Sequence, residues 1–183
     1  MSSELSQKLS RLYNSKTLPW IIICVGIALR LIRYLYNPSL WFDEASIAVD
    51  LNMRSITDLI TPSPYYGQTY PIGFLVLIKL SINLLGNSEW AFRLFPFLFG
   101  IASLYFFYKV ARHYLKPQAV PVALGLFAIL DPLVHYSSEL KPYIIDVAIA
   151  LMLYSATIYV KTRRLNAPRI IFFGIFGAAA IWF

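Results

Sequence analysis

Cysteine, histidine and charged residues are all scarce in this chain. Its 183 residues include one cysteine and two histidines, and only 14% are Asp, Glu, Lys or Arg, whereas soluble domains carry about 25% charged residues. The single Cys24 excludes a disulfide framework within the chain, and the sequence contains no Cys/His metal motif. Glycine-rich phosphate loops, internal repeats and low-complexity tracts are also absent. These absences argue against a small secreted scaffold, a zinc domain and a nucleotide-binding loop.

Apolar residues make up 58% of the chain and are gathered into runs. A run of about 20 apolar residues is long enough to cross a membrane as a helix. Six apolar runs, some of them shorter than this, stand out: Leu18–Tyr36, Pro71–Leu85, Trp90–Tyr108, Ala119–Val134, Tyr143–Val160 and Ile170–Phe183. The sequence therefore predicts an all-α polytopic membrane protein, in which membrane lipids surround much of the surface.

The positions of the basic residues predict the topology. The net charge is +7, and Lys and Arg collect in cytoplasmic loops of membrane proteins, so this excess indicates no nucleic-acid partner. If Pro71–Leu85 lies on the outer surface instead of spanning, ten of the sixteen Lys and Arg fall on the cytoplasmic side. These ten are Lys8, Arg11, Lys16, Lys109, Arg112, Lys116, Lys161, Arg163, Arg164 and Arg169. We therefore expect a multi-pass protein of the cell (inner) membrane with a cytoplasmic N-terminus.

This topology divides the chain into a short cytoplasmic N-terminus, residues 1–17, and a transmembrane module, residues 18–183, whose first outer loop is 37–89. The last run, Ile170–Phe183, has 14 residues, or about 21 Å of helix, against a hydrocarbon core of about 30 Å. The sequence is therefore expected to be the N-terminal portion of a longer protein, truncated within its last span and inactive by itself.

Acidic residues gather on the predicted outer side, where they suggest chemistry. In Leu40-Trp41-Phe42-Asp43-Glu44-Ala45, two adjacent carboxylates follow the first membrane helix, and a new helix is predicted over Asp43–Met53. A carboxylate at a membrane surface under aromatic residues is a candidate general base. The alternative is that Asp43 caps the helix and the aromatic residues anchor it at the interface.

A second group of polar residues precedes the fifth apolar run. Tyr136-Ser137-Ser138-Glu139-Leu140-Lys141-Pro142-Tyr143 is followed by Asp146, one turn into the predicted helix. An acid at that depth must face protein or water and is a functional hypothesis by default, while Lys141 is placed to hold a lipid phosphate. The alternative is an ion pair of Asp146 with Lys141 or an arginine. Arg93, with Arg30 and Arg33, adds cations at the same rim.

Taken in order, these segments resemble the N-terminal part of a GT-C glycosyltransferase. The resemblance covers about Leu18 to Val160. It rests on Leu40 to Ala45, Tyr70-Pro71-Ile72-Gly73, Gly86 to Leu94, and Ser138 to Tyr143. The most similar branch is the bacterial protein-mannosyltransferase-like one, which includes the aminoarabinose transferases of lipid A.

The resemblance implies a GT-C transmembrane module with two surface helices in its first outer loop. It implies a sugar transferred from a polyprenyl-phosphate donor to a lipid, glycan or protein acceptor. Asp43 matches the family's proposed general base, and Glu44 matches the Glu that positions substrate or, in some branches, a metal. The positions that match substrate-binding residues are Arg93, Glu139, Lys141, Tyr143 and Asp146.

One departure concerns the metal. Where many members have an acid, His or Lys before a Pro-Pro pair, this chain has Gln68-Thr69-Tyr70-Pro71. No metal ligand is therefore assigned and no cofactor is certain, although some branches use a divalent metal. Two other functions stay open: a transporter subunit, with Asp131 and Asp146 as coupling sites, and a non-catalytic membrane assembly protein.

Overall fold

The structure, a computed structural model, describes residues 16–61, 70–162 and 166–183, with the side chain of Thr162 left out. Eight α-helices follow one another through these ranges: α1 Leu18–Tyr36, α2 Phe42–Met53, α3 Ile72–Leu85, α4 Glu89–Tyr114, α5 Ala119–Ile129, α6 Asp131–His135, α7 Tyr143–Thr162 and α8 Ala167–Ala180. Short 3₁₀ turns lie at Asp58–Ile60 and Tyr136–Ser138. The predicted all-α fold is confirmed. Predictions for residues 1–15 and for Gln68-Thr69 fall outside the described residues.

Among the described helices, α1, α4 and α7 are long and apolar enough to cross a membrane. The consecutive pair formed by residues 119–129 and 131–138 would be a fourth span, bent by 57°. Helices α3 and α8 are apolar but have only 14 residues each. The protein is therefore a multi-pass membrane protein. The placement of α3 on the outer surface stays a prediction.

Helix α4 is the centre of the bundle and packs against α1, α3, α5 and α7. Its first turn begins at Ser88, whose hydroxyl accepts a hydrogen bond from the Ala91 N–H at 3.2 Å. One apolar cluster joins α2, α3 and the starts of α4 and α7, and a second joins α1, α5 and the last turns of α4. Lys79 of α3 donates to the Leu51 carbonyl near the end of α2 at 2.6 Å. Helices α2 and α3 are thus packed onto the bundle.

The run Ala119–Val134 does not form one straight helix: α5 ends at Ile129, and the helix that follows is bent from it by 57°. Pro132 explains the break. It has no N–H for the carbonyl of Ala128 four residues earlier. The fully buried Arg30 replaces the missing donor, since its Nη1 lies 3.0 Å from the Ala128 carbonyl and 3.1 Å from that of Gly26.

Because the Arg30 guanidinium takes the place of the N–H that Pro132 lacks, we expect mutations at Arg30 and Pro132 to be coupled in their effects on stability. Arg30→Met removes the guanidinium, whereas Pro132→Ala restores a backbone N–H that can reach the Ala128 carbonyl. We expect Arg30→Met to destabilise the protein less in the Pro132→Ala background than in the native one, with a coupling free energy of about 0.5–3 kcal/mol. Unfolding by SDS in detergent micelles measures the four species of the cycle. Effects that simply add would contradict the proposed replacement.

Candidate active site

A cleft of ≈ 430 Å³ lies where the start of α2 meets the end of α6 and the loop before α7. Its walls combine aromatic and charged side chains: Trp41, Phe42, Asp43, Glu44, His135, Tyr136, Glu139, Lys141 and Tyr143. The structure thus brings together five of the seven predicted site residues, across about 100 positions of sequence. The other two, Arg93 and Asp146, do not line the cleft.

Glu44 is the buried centre of this arrangement, with its side chain only 2% exposed. Its Oε2 accepts hydrogen bonds from the Trp41 backbone N–H at 3.1 Å and from Arg93 Nη2 at 2.9 Å. Its Oε1 accepts one from the Leu140 backbone N–H at 2.6 Å. One carboxylate therefore joins the start of α2, the core helix α4 and the loop before α7. Glu44 also caps α2. In the sequence analysis this capping role was the alternative considered for Asp43.

Arg93 lies beneath the cleft, with its side chain 1% exposed. Besides Glu44, it donates through Nη1 to the Asn37 side-chain oxygen at 3.0 Å and to the Pro38 carbonyl at 2.6 Å. Asn37 ends α1 in the left-handed conformation, at φ 42°, which asparagine tolerates better than most residues. Arg93 thereby fixes the turn that leads from α1 into α2. Its predicted contact with the donor stays a prediction.

Asp43 points the other way, into the cleft, with its side chain 57% exposed. Lys141 Nζ lies 3.3 Å from Asp43 Oδ2 and 3.3 Å from the hydroxyl oxygen of Tyr70. Burial lowers the pKa of Lys141, but the hydrogen bonds and charges of Tyr70 and Asp43 outweigh that effect and leave the pKa raised. Lys141 therefore stays protonated, and its positive charge lies next to an accessible carboxylate.

Glu139 belongs to a second charged chain on the opposite wall. Arg33 Nη2 donates to His135 Nδ1 at 2.7 Å, and His135 Nε2 lies 2.5 Å from Glu139 Oε1. Arginine cannot accept a hydrogen bond, so Nδ1 must hold a lone pair and the imidazole proton sits on Nε2, facing Glu139. Burial, reinforced by the charge of Glu44, raises the pKa of Glu139 above its ordinary value, and the opposing effects of Arg33 and Arg93 do not offset this.

From the sequence, Arg33 was only one of the cations at the outer rim and His135 had no assigned role, so this chain of contacts was missed. The one available signal was the spacing of His135 and Glu139, four residues apart. The turn that carries them packs tightly on α4, where a side chain at Gly100 would collide with the hydroxyl of Ser137. Gly100 therefore helps to hold this wall of the cleft in place.

The mouth of the cleft is aromatic. Trp41 is 68% exposed, Phe42 82% and Tyr143 49%. The Tyr143 and Tyr136 rings meet edge to face, with centroids 4.8 Å apart. Exposed Trp and Tyr rings are typical of the boundary between lipid headgroups and hydrocarbon. A lipid-linked molecule could thus reach the charged groups while its tail stays in the bilayer.

Asp146 lies outside this cleft, in the first turn of α7, with its side chain exposed. Neither of its predicted partners, Lys141 or an arginine, makes an ion pair with it within the described part of the chain. Its predicted role in substrate binding stays a prediction.

The donor set gives no support for a resident metal. Within residues 16–61, 70–162 and 166–183, no three His, Cys, Asp or Glu side chains are grouped to hold a metal ion. In the cleft, both ring nitrogens of His135 are already engaged by Arg33 and Glu139. We therefore derive no step through a metal.

Comparison with known families decides the class of protein that carries this cleft. Residues 69–183 match the family described as dolichyl-phosphate-mannose-protein mannosyltransferase. The chain belongs to this family. The resemblance to GT-C glycosyltransferases is confirmed, and the match favours a membrane glycosyltransferase over the transporter and assembly alternatives. No curated protein and no solved structure matches the chain.

The matched region of this family member contains Arg93, Glu139, Lys141, Tyr143 and Asp146. The matched region begins after Asp43 and Glu44, so the assignment of these two residues to the site rests on their positions in the structure. Glu44 reaches into the matched region twice, at Arg93 and at the Leu140 backbone. The wall supplied by α2 is therefore physically continuous with the part of the chain that carries the family signature.

Proposed function

We propose that this protein transfers a sugar from a polyprenyl-phosphate donor to a hydroxyl group of a lipid, glycan or protein acceptor. The reaction takes place on the non-cytoplasmic face of the inner membrane, with the N-terminus in the cytoplasm and residues 18–183 forming one membrane module. The observation that carries the proposal is the pairing of an accessible carboxylate, Asp43, with the Lys141 ammonium in a cleft whose mouth is aromatic.

The proposed reaction needs one base and one cation. The acceptor oxygen attacks the anomeric carbon of the donor sugar and its proton passes to the Asp43 carboxylate. The bond between the anomeric carbon and the phosphate oxygen breaks, and its electron pair leaves with the polyprenyl phosphate. Lys141, beside Asp43, stabilises the charge that develops on that phosphate.

The remaining cleft residues position the reactants. Glu139 and Tyr143 face the same space and offer hydrogen-bonding groups for the hydroxyls of a sugar. Arg93 supports the site from below by holding Glu44 and the turn before α2.

Replacing Lys141 tests the donor assignment. We expect Lys141→Ala to weaken binding of a polyprenyl-phosphate sugar by about 10- to 100-fold, the loss typical of a charged hydrogen bond. Lys141→Arg should retain most of the affinity. Titration of the reconstituted protein with donors carrying different hexoses or pentoses, followed by a transfer assay, measures both binding and function.

Lys116→Ala is the matched control, because Lys116 is an exposed lysine at the opposite end of α4. Donor affinity that is unchanged in Lys141→Ala, or reduced equally in Lys116→Ala, would place the phosphate elsewhere. Absence of transfer from every donor tried, in full-length protein that remains folded, would reject the proposed reaction.

A further inference from the structure

A second and larger cavity, of ≈ 600 Å³, lies between α4, α7 and α8 at the end of the bundle opposite the cleft. Its apolar walls include four phenylalanines on two helices: Phe106, Phe172, Phe173 and Phe176. A volume of this order is typical of sites for small organic ligands. Because α4, α7 and α8 are all apolar, the cavity opens where lipid chains would surround the protein.

Two cations from different helices meet at this cavity. Lys109 comes from the last turns of α4 and Arg169 from the first turn of α8. Each stands over aromatic rings, with Lys109 Nζ 5.7 Å from the Phe106 centroid and Arg169 Cζ 5.8 Å from that of Tyr159. No acidic residue is among the described residues that line the cavity. The rim therefore has a single sign of charge, complementary to an anion.

Ser155 supplies an independent observation. It lines the cavity from α7, is 5% exposed, and its Oγ has no hydrogen-bond partner among the described residues. A buried hydroxyl without a partner destabilises the fold. A ligand with an ester or phosphate oxygen near Ser155 would remove that cost.

We propose that this cavity binds one anionic membrane phospholipid, with its phosphate between Lys109 and Arg169 and an acyl chain along the phenylalanines. Basic pockets between membrane helices are a recurrent site for acidic lipid headgroups. The hydroxyl of Ser155 donates to a glycerol-ester oxygen just below the headgroup. The site is separate from the cleft and does not depend on the proposed transfer reaction.

Native mass spectrometry of the purified chain tests the proposal, with phosphatidylglycerol and phosphatidylcholine of equal chain length as probes. We expect phosphatidylglycerol to bind about tenfold more tightly or better. The double variant Lys109→Ala/Arg169→Ala should abolish this preference. The matched control, Lys16→Ala/Lys116→Ala, removes two exposed cations from the same end of the bundle and should leave the preference intact.

A variant that changes no charge separates the cavity from general electrostatics. Ser155→Leu fills the space next to the phenylalanines and should reduce phosphatidylglycerol binding while circular dichroism shows unchanged helix content. Equal binding of the two lipids by the native chain would overturn the proposal, as would equal losses in the test and control double variants. Tighter binding of polyprenyl phosphate, lost with the same two cations, would reassign the cavity to the sugar carrier and overturn it too.

Discussion

Asp43→Asn is expected to lower sugar-transfer turnover by about 10²- to 10⁴-fold, the usual contribution of a positioned general base. Asparagine has nearly the same size as aspartate but cannot take up the acceptor proton. Its effect on folding should be small, because the Asp43 side chain is 57% exposed and exposed ion pairs contribute only about 0–1 kcal/mol. Turnover of the full-length protein, reconstituted at equal amounts in the membrane, measures the effect.

Asp131→Asn is the control for this variant, since Asp131 is another exposed acid on the same side of the bundle that does not line the cleft. It should keep native turnover. If Asp43→Asn also transfers sugar at close to the native rate, the base lies elsewhere, and Asp43 serves only as a partner for Lys141.

Glu44→Gln, one residue along the chain, is expected to lower the free energy of unfolding by about 3–5 kcal/mol. The carboxylate of Glu44 accepts three hydrogen bonds, and an amide offers only one oxygen for them. The change also leaves Arg93 buried without its negative partner. A shift of the SDS-unfolding midpoint, well beyond that of Asp43→Asn, is the measurable result.

A double-mutant cycle identifies the cause of that loss. Arg93→Met should cost a similar amount in the native protein but much less when Glu44→Gln is already present, because the buried ion pair is then broken in both. Unfolding of Glu44→Gln at the same midpoint as Asp43→Asn would show that the carboxylate is not a structural link.

Much of this architecture is predictable from the sequence, because membrane helices can be recognised by their length and hydropathy. The run Leu18–Tyr36 coincides with α1, and the helix predicted from Asp43 to Met53 begins one residue earlier. The sequence placed Asp43 and Lys141 among the candidates on one side of the membrane but did not predict their contact. Local pattern was sufficient for the helices.

The direction in which neighbouring side chains point was not predictable, because it depends on partners distant in sequence. Asp43 and Glu44 looked like an equivalent pair, yet one is accessible and the other is enclosed. From the sequence, Arg93 looked like a free cation at the rim, but in the structure its guanidinium donates to Asn37 and Pro38 in the turn after α1. The break in α5 could be suspected from Pro132, but not its support by Arg30.

The three bonds of Glu44 also have consequences for the order of events during synthesis. Arg93 lies 49 residues after Glu44 in the sequence, and Leu140, which donates its backbone N–H, lies 96 residues after it. At about 5–20 residues per second, Glu44 leaves the ribosome roughly 5–20 seconds before its last partner exists. Until Arg93 has emerged, the loop that carries α2 must keep this carboxylate in water. The wall formed by α2 can therefore complete its contacts with the bundle only after the loop that carries Leu140 has emerged.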